Sequence, residues 1–435
     1  MAWATEHHRR PGRLVAALAA LALLCGLTAC GGDDDETDSL LGQDTSATIT
    51  VEEARAQEQR ILDQRVRAVR TRDLALFLRR VDHHDPELMA RQRRYFRNLV
   101  QLPIARFRYQ VLSRQWEGLA LPRRWGTEVH VPRIRMTTQL AGFDALPVVR
   151  TVGFVFSFRD GRATIVSDRT ATGKPLFEGA PAPWDLTAIT VRTEPGVLGI
   201  FDRRTRGSAA SVTEAVRDGM DRVSSALPFA WSERVVFYSI QNADVLASFT
   251  DVPGGSLDHL GALTFPTYAE DGGRRVASTR MLLLAGSVRA GQPFLGRISR
   301  HELSHIAIGG HDDGAPAWVS EGVAEYLAAR DVPVRERSIP TAALSRAQVE
   351  DDGMPDSSTF NGSDQEWHYA LSWMACDYVA RTYGEDRLWE LVDAMHDDGH
   401  GTTDVRQDEV LARVLGYGGR ELARRAAARI RNIYG

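Results

Sequence analysis

A pentapeptide of the form HExxH, at residues 301–305, constrains this chain more than any other stretch. In a helix, residues four positions apart share a face, so His301 and His305 would point at the same place. Two imidazoles supply half of a tetrahedral zinc site, and Glu302 lies beside them, where it could take a proton from a metal-bound water. Glu321, 16 positions after His305 (321 − 305), is the candidate third protein ligand. The alternative is a charged helix whose histidines are only solvated or hydrogen-bonded.

Local signals place these residues on two successive helices. The turn at Gly291-Gln292-Pro293 opens a helix whose apolar residues recur at helical spacing through the motif, and Gly309-Gly310 ends it. Pro316 opens the next helix, which carries Glu321 and ends near Pro333. A helix–loop–helix of this length can fold back and bring Glu321 to the two histidines.

The HExxH pentapeptide and the segment at residues 317–326, AWVSEGVAEY, resemble the gluzincin zinc peptidases. The similarity is greatest to the small bacterial families called peptidase MA-like. It covers roughly residues 185 to 435 and is specific between residues 301 and 326. It implies a Zn²⁺ site whose protein ligands are His301, His305 and Glu321. It also implies that Glu302 is the general base and that Glu325, one turn beyond Glu321, orients a ligand histidine.

A later helix carries a further candidate for catalysis. Tyr369-Ala370-Leu371-Ser372, followed by Tyr383-Gly384, also resembles the peptidase MA-like pattern. We therefore expect Tyr369 or His368 to donate a hydrogen bond to the oxyanion that develops during attack. The alternative for Tyr369 is a packing role. Cys376, in the same apolar pattern, is interpreted as a buried structural thiol.

The first 48 residues are predicted to address and anchor the chain. Residues 1–29 resemble a lipoprotein signal peptide, because basic residues precede an apolar run that is too short for a confident membrane span. Leu27-Thr28-Ala29-Cys30 resembles the bacterial lipobox. This resemblance implies that Cys30 is lipidated and holds the protein on the extracytoplasmic face of the cell membrane. Residues 30–48, rich in Asp, Gly, Ser and Thr, are predicted to be a disordered tether.

Residues 49–180 are predicted to form an α+β domain. Two helices, at 51–78 and 86–99, precede strands at 107–114, 128–140, 148–158 and 163–168. Asp160-Gly161 is the expected hairpin turn between the last two strands. Helices followed by a meander of antiparallel strands resemble the ketosteroid-isomerase-like cone fold, and we expect a structural or recognition module. His83-His84-Asp85 is interpreted as a solvated loop, with metal binding as the alternative.

Pro181-Ala182-Pro183 marks the predicted join to a second domain, residues 181–435. Strands are predicted at 186–192, 234–240, 262–268 and 280–285, and all of them precede the motif helix. A small sheet followed by the HExxH helix is the gluzincin order, which implies a thermolysin-like domain. An edge of this sheet could pair with an extended peptide. The predicted fold class of the whole chain is α+β.

Composition and motifs together predict the function. The chain is 43% hydrophobic and 25% charged with a formal net charge of −4, which is typical of a globular protein and argues against a nucleic-acid partner. The sequence predicts a membrane-anchored, zinc-dependent peptidase acting on a peptide or protein substrate, with endopeptidase or aminopeptidase action left open. The alternative is a ligand-binding or envelope-assembly lipoprotein with a structural or weakly active zinc site. Glu302 favours the peptidase, because a structural site needs no base.

Overall fold

The computed structural model describes residues 49–250, 252, 255–270, 273–349, 353–396 and 404–435. The predictions for the signal peptide, for Cys30 and for the tether lie outside these residues. Helices account for 48% and strands for 21% of the structure, so the predicted α+β class is confirmed. Within the described part of the chain, no helix is both long and apolar enough to cross a membrane.

The first part of the structure contains three helices and two small sheets. The helices are α1 (Val51–Thr71), α2 (Leu74–Leu78) and α3 (Pro86–Leu99). The strands are β1 (Ile104–Gln115), β2 (Val129–His130), β3 (Pro132–Leu140), β4 (Val148–Gly153), β5 (Val155–Arg159) and β6 (Arg162–Ser167). They form one antiparallel sheet in the order β1-β3-β4 and another in the order β2-β5-β6.

Several predicted elements of this part are interrupted. The helix predicted at 51–78 breaks where Arg72 adopts a left-handed φ of 56° and Asp73 caps α2. The strand predicted at 128–140 is divided into β2 and β3, and the one predicted at 148–158 into β4 and β5. These breaks carry the chain from one sheet to the other, so two sheets replace the single predicted meander. The Asp160-Gly161 turn is confirmed, with φ of 49° and 66° between the paired residues of β5 and β6.

The second part is built around a five-stranded sheet. Its strands are β7 (Ile189–Glu194), β8 (Val197–Asp202), β9 (Val235–Ser239), β10 (Ala262–Tyr268) and β11 (Val276–Leu283). The order is β10-β11-β9-β8-β7, with parallel pairs in the middle and an antiparallel pair at each side. The strand predicted to begin at residue 186 begins at Ile189, because residues 183–186 form a helical turn. Strand β8 was not predicted.

Eleven further described helices accompany this sheet. They are α4 (Pro183–Leu186), α5 (Ala209–Ala226), α6 (Ala243–Leu246), α7 (Ala285–Ala290), α8 (Phe294–Ile308), α9 (Ala317–Ala329), α10 (Thr341–Arg346), α11 (Gln365–Tyr383), α12 (Glu385–Met395), α13 (Asp404–Leu415) and α14 (Gly419–Tyr434). Helix α8 is the predicted motif helix, and α9 is the predicted helix after it. Helices α12 and α13 and the short helices α4, α6, α7 and α10 were not predicted.

The two faces of the five-stranded sheet contribute to different hydrophobic clusters. In β9, Phe237 belongs to a hydrophobic cluster with residues of α5 and α8, whereas the next residue, Tyr238, belongs to a cluster with residues of α3 and other residues before position 180. This alternation follows from the two-residue period of a strand. A buried ion pair, Asp144 with Arg280 at 2.9 Å, also joins the two parts. Residues 49–435 cluster into one compact unit, and the domain boundary near residue 180 stays a prediction.

The C-terminal helices form the largest hydrophobic cluster, in which α9, α11 and α14 take part. Helix α14 buries its apolar face, and its Arg429 pairs with Asp377, a fully buried carboxylate of α11. Arg337, in the segment after α9, lies 3.5 Å from the same carboxylate. Asp377 thereby ties α14 and the segment near Arg337 to α11. Cys376 is buried beside it, and this burial raises the pKa of its thiol, which fits the predicted structural role.

Candidate metal centre

Side-chain contacts between helices α8 and α9 position the candidate metal ligands. Arg297 and Arg300 of α8 hydrogen-bond to Glu325 and to the carbonyl of Ala328 in α9, respectively. Farther along α8, His305 lies against Glu321, which comes earlier in α9. These contacts hold α8 against α9 along several turns of each helix. The fold-back predicted for this helix–loop–helix is present.

The three predicted ligand side chains converge on one point. His301 Nε2 lies 3.2 Å from Glu321 Oε2, His305 Nε2 lies 3.5 Å from the same oxygen, and the two Nε2 atoms are 3.3 Å apart. All three side chains are buried, and Glu321 is 0% exposed. Among the described residues, this is the one group of His, Cys, Asp or Glu side chains identified as able to hold a metal ion.

These distances fit a tetrahedral cation. Ligand atoms about 2.0–2.2 Å from Zn²⁺ at tetrahedral angles are separated from one another by about 3.3–3.6 Å. The observed separations of 3.2, 3.3 and 3.5 Å lie at or close to that range. Burial, and then the neighbouring His301, lower the pKa of His305 well below its usual value, so this imidazole stays neutral, which is the metal-binding form. The donor set can therefore hold Zn²⁺ through three protein atoms.

Glu302 lies beside this group with an oxygen that has no hydrogen-bond partner. Its side chain is 1% exposed, and Oε2 is buried without a partner. Burial raises the pKa of its carboxyl, although nearby His301 and hydrogen bonds involving Thr264 act in the opposite direction. An unsatisfied buried carboxylate oxygen is costly to the fold. Its presence is explained if the oxygen accepts a hydrogen bond or a proton from a molecule that enters the site.

Glu325 is placed behind His301, on the side away from Glu321. Its Oε1 lies 3.2 Å from His301 Nδ1, while its Oε2 accepts a hydrogen bond from Arg297. Burial raises the pKa of Glu325, but Arg297 and His301 outweigh this and hold it at about 2, so the carboxylate is ionised. An ionised carboxylate at Nδ1 favours the tautomer with its proton there and leaves Nε2 free to bind a metal.

One of the three candidate ligands, His301, lines a cleft with a volume of about 550 Å³. His301, Glu302, Glu325 and Tyr369 all line it. The Tyr369 ring centroid lies 6.4 Å from that of His301, and its hydroxyl lies 3.4 Å from Asn361 Oδ1. Burial, Glu302 and Glu325 raise the pKa of Tyr369, which keeps the hydroxyl protonated. Of the two predicted donors, Tyr369 therefore faces the cleft, whereas His368 Nδ1 contacts the carbonyl of Phe360 at 2.8 Å.

Strand β10 forms the sheet edge nearest to the motif helix. The Thr264 hydroxyl donates a hydrogen bond to the backbone carbonyl of Glu302 at 3.2 Å, and Ala262 lines the cleft. Because β10 is the outermost strand, one of its sides has no neighbouring strand within the described residues. The sequence predicted an edge of this kind without identifying the strand.

Other histidines singled out in the sequence do not join the site. His83 and His84 are exposed, and Asp85 instead caps α3 by accepting a hydrogen bond from the Leu88 amide at 2.9 Å. This cap satisfies an amide that the first turn of a helix leaves free. The described structure thus agrees with a solvated loop at this position.

Sequence reasoning missed Arg297 and Thr264. Arg297 is four residues before His301 and shares its helix face, so the spacing itself was an available signal. Thr264 carries no such signal, because its contact depends on how β10 packs against α8.

No model of a known protein family matches the chain, and no curated protein matches it.

Proposed function

We propose that the protein is a zinc-dependent peptidase of the gluzincin type, similar to the peptidase MA-like families. The observation that carries this proposal is the convergence of His301, His305 and Glu321 at 3.2–3.5 Å beside the partnerless Glu302 oxygen. We further propose that lipidation of Cys30 anchors the protein at the extracytoplasmic face of the membrane. The substrate would be a peptide or protein that enters the cleft along β10.

Each residue of the site has a part in the proposed reaction. Bound Zn²⁺ would supply a Lewis acid that polarises the scissile carbonyl and makes water acidic enough to lose a proton near neutral pH. Glu302 accepts the proton of the attacking water and then delivers it to the leaving amine. Glu325 keeps His301 oriented. The Tyr369 hydroxyl is a donor in the cleft for the oxygen that becomes negatively charged.

The partnerless Glu302 oxygen also favours this proposal over a structural zinc site. A structural site usually closes its fourth position with a protein ligand and needs no base. Here the donor set has three members, and the neighbouring carboxylate faces the same cleft. A ligand-binding lipoprotein with a weakly active site would not require that arrangement.

The finer architecture belongs to the same proposal. Residues 49–180, with helices followed by antiparallel strands, would be a ketosteroid-isomerase-like cone. Residues 181–435, with the five-stranded sheet followed by α8, would be a thermolysin-like domain. The order of helices and strands along the chain and the position of β10 next to α8 support this assignment.

The proposal is tested by separating metal binding from chemistry. Glu302→Gln keeps the side-chain shape but cannot act as a base, so we expect near-full zinc occupancy and a loss of peptide cleavage on the order of 10² or more. Glu321→Ala removes one of three protein ligands, so zinc occupancy should fall sharply. The matched control is Glu214→Gln on the exposed side of α5, which should change neither quantity.

The measurements are zinc stoichiometry by elemental analysis and cleavage of a peptide library. A parent protein that binds no metal, or a Glu302→Gln variant that cleaves as fast as the parent, would contradict the peptidase proposal. Full zinc occupancy in Glu321→Ala would instead show that Glu321 is not the third ligand.

A further inference from the structure

A second, smaller cavity lies within residues 49–186, apart from the metal centre. It has a volume of about 90 Å³, which is room for several water molecules or a small organic molecule. Its walls come from α3, β1, β3, β4 and the segment after β6. Nothing in the proposed peptidase mechanism uses it.

Positive charge exceeds negative charge around this cavity. The charged residues that line it are four arginines and two aspartates, namely Arg91, Arg94, Arg150, Arg169, Asp168 and Asp185. Asp168 pairs with Arg91 at 2.9 Å, and Asp185 pairs with Arg150. These two pairs use both carboxylates of the lining. Neither Arg94 nor Arg169 is left with a carboxylate partner there, although Arg169 Nη1 donates a hydrogen bond to the Gly173 carbonyl at 2.9 Å.

Arg94 carries the clearest sign of a missing partner. Its Nε is buried and has no hydrogen-bond partner, and no carboxylate of the described residues lies within ion-pair distance of its guanidinium. Burial, followed by repulsion from Arg169 and Arg91, lowers the pKa of Arg94 despite the opposing effect of Asp168. Arg94 as a whole is half-buried, and it is the Nε–H that has lost water without gaining an acceptor. Burying such a donor is costly, and an anion in the cavity would supply the acceptor.

The cavity also offers neutral donors and an apolar wall. The hydroxyls of Tyr95 and Tyr109 lie 3.4 Å apart, and burial raises the pKa of both, so each keeps the proton that it can donate. Val152, Phe154 and Leu176 supply apolar surface beside these polar groups. A small anion with a short apolar tail matches this combination better than an inorganic ion does, because an inorganic ion would leave the apolar wall without a contact.

We propose that this cavity binds a short-chain carboxylate, with Arg94 and Arg169 holding the carboxylate and the apolar wall holding the tail. Arginine suits this task because its planar fork matches the two carboxylate oxygens. The site would give residues 49–186 a recognition function. The proposal does not depend on zinc or on peptide cleavage, so the two proposals can fail separately.

The test is calorimetric titration of the full chain with butyrate and with butyramide, at constant ionic strength. The two probes share a shape but differ in charge. We expect butyrate to bind, and butyramide to bind at least tenfold more weakly, since hydrogen bonds to a charged group are worth about that factor or more. Arg94→Gln and Arg169→Gln should each weaken butyrate binding about tenfold. Arg93→Gln is the control, because the neighbouring Arg93 is exposed and does not line the cavity.

The following results would overturn the carboxylate-binding proposal in whole or in part. No butyrate binding by the parent chain, equal binding of butyramide, or an equal loss in Arg93→Gln would overturn the proposal. Inorganic phosphate is titrated in parallel, and tighter binding of phosphate than of butyrate would overturn the choice of a tailed carboxylate. If Arg94→Gln does not fold, the Arg169→Gln variant and the butyramide comparison still give the answer.

Discussion

Gly322 allows α9 and α11 to approach closely, and replacing it should displace the neighbouring ligand, Glu321. A Cβ at this position would lie 2.6 Å from the backbone oxygen of Ser372 and 2.8 Å from Cys376 Sγ. Ordinary contact begins at 3.4 Å. In Gly322→Ala, α9 must therefore move away from α11 by about 0.8 Å. The neighbouring residue, Glu321, would move with it.

The size of the effect follows from two opposing terms. Overpacking of this kind costs about 1–3 kcal/mol, and the higher helix propensity of alanine returns up to about 1 kcal/mol. Because the nearest clash is with a backbone oxygen, which cannot rotate away, the overpacking cost falls in the upper half of that range, about 2–3 kcal/mol. Less about 1 kcal/mol for helix propensity, we expect a net loss of about 1–2 kcal/mol in the free energy of unfolding. The helix displacement of about 0.8 Å is also larger than the 0.3 Å difference between the shortest and the longest of the three ligand separations, 3.2 and 3.5 Å. Zinc affinity should consequently fall at least tenfold, as it does when the residues that support metal ligands are disturbed.

The assay is thermal unfolding together with zinc competition against a chelator. Gly286→Ala in α7 is the control, because a Cβ there meets no atom within 4 Å, and it should leave zinc affinity unchanged. Adding Cys376→Ala to Gly322→Ala removes the sulfur contact but leaves the Ser372 carbonyl, so recovery should be partial. Unchanged stability and unchanged zinc affinity in Gly322→Ala would refute this account of the helix packing.

Further predictions concern the groups around the site and the ends of the chain. Glu325→Ala should lower zinc affinity about 10–100-fold, and Arg297→Gln should lower it less, because Glu325 remains beside His301. Chelator competition measures both affinities, and equal losses in the two variants would contradict this order. Cys30→Ala should abolish lipidation and release the protein from membranes, which mass spectrometry and fractionation check; an unchanged mature mass would exclude the anchor. Limited proteolysis should cut the chain at the exposed residues 179–180. The two fragments should still co-elute on gel filtration, because the Asp144–Arg280 ion pair and the shared hydrophobic core join them. Fragments that separate without denaturant would contradict this prediction.

The sequence predicted those features that depend on neighbours in the chain. The ends of α8, the Asp160-Gly161 turn and the spacing of the two histidines are set by local residue types, and they are present in the structure. Strand β8 escaped prediction because all six of its residues are buried, so its sequence shows no alternation of polar and apolar positions.

Features that depend on distant residues could not be predicted. The sequence showed that Asp377 is acidic, but not that arginines from two separate segments would surround it. In the same way, the contact between Thr264 and the motif helix depends on how a strand and a helix pack, which no local pattern specifies. The cavity beside Arg94 likewise exists only where α3 meets the β1-β3-β4 sheet and the segment after β6.

The short distance along the chain between the metal ligands has a consequence for folding. His301 and Glu321 are 20 positions apart (321 − 301), and the helices that carry them are consecutive. Closing so short a loop costs little chain entropy, and contacts between near neighbours in sequence form quickly. We therefore expect the pair α8 and α9 to assemble early. The walls of the cleft, contributed by β10 and α11, would dock onto it later.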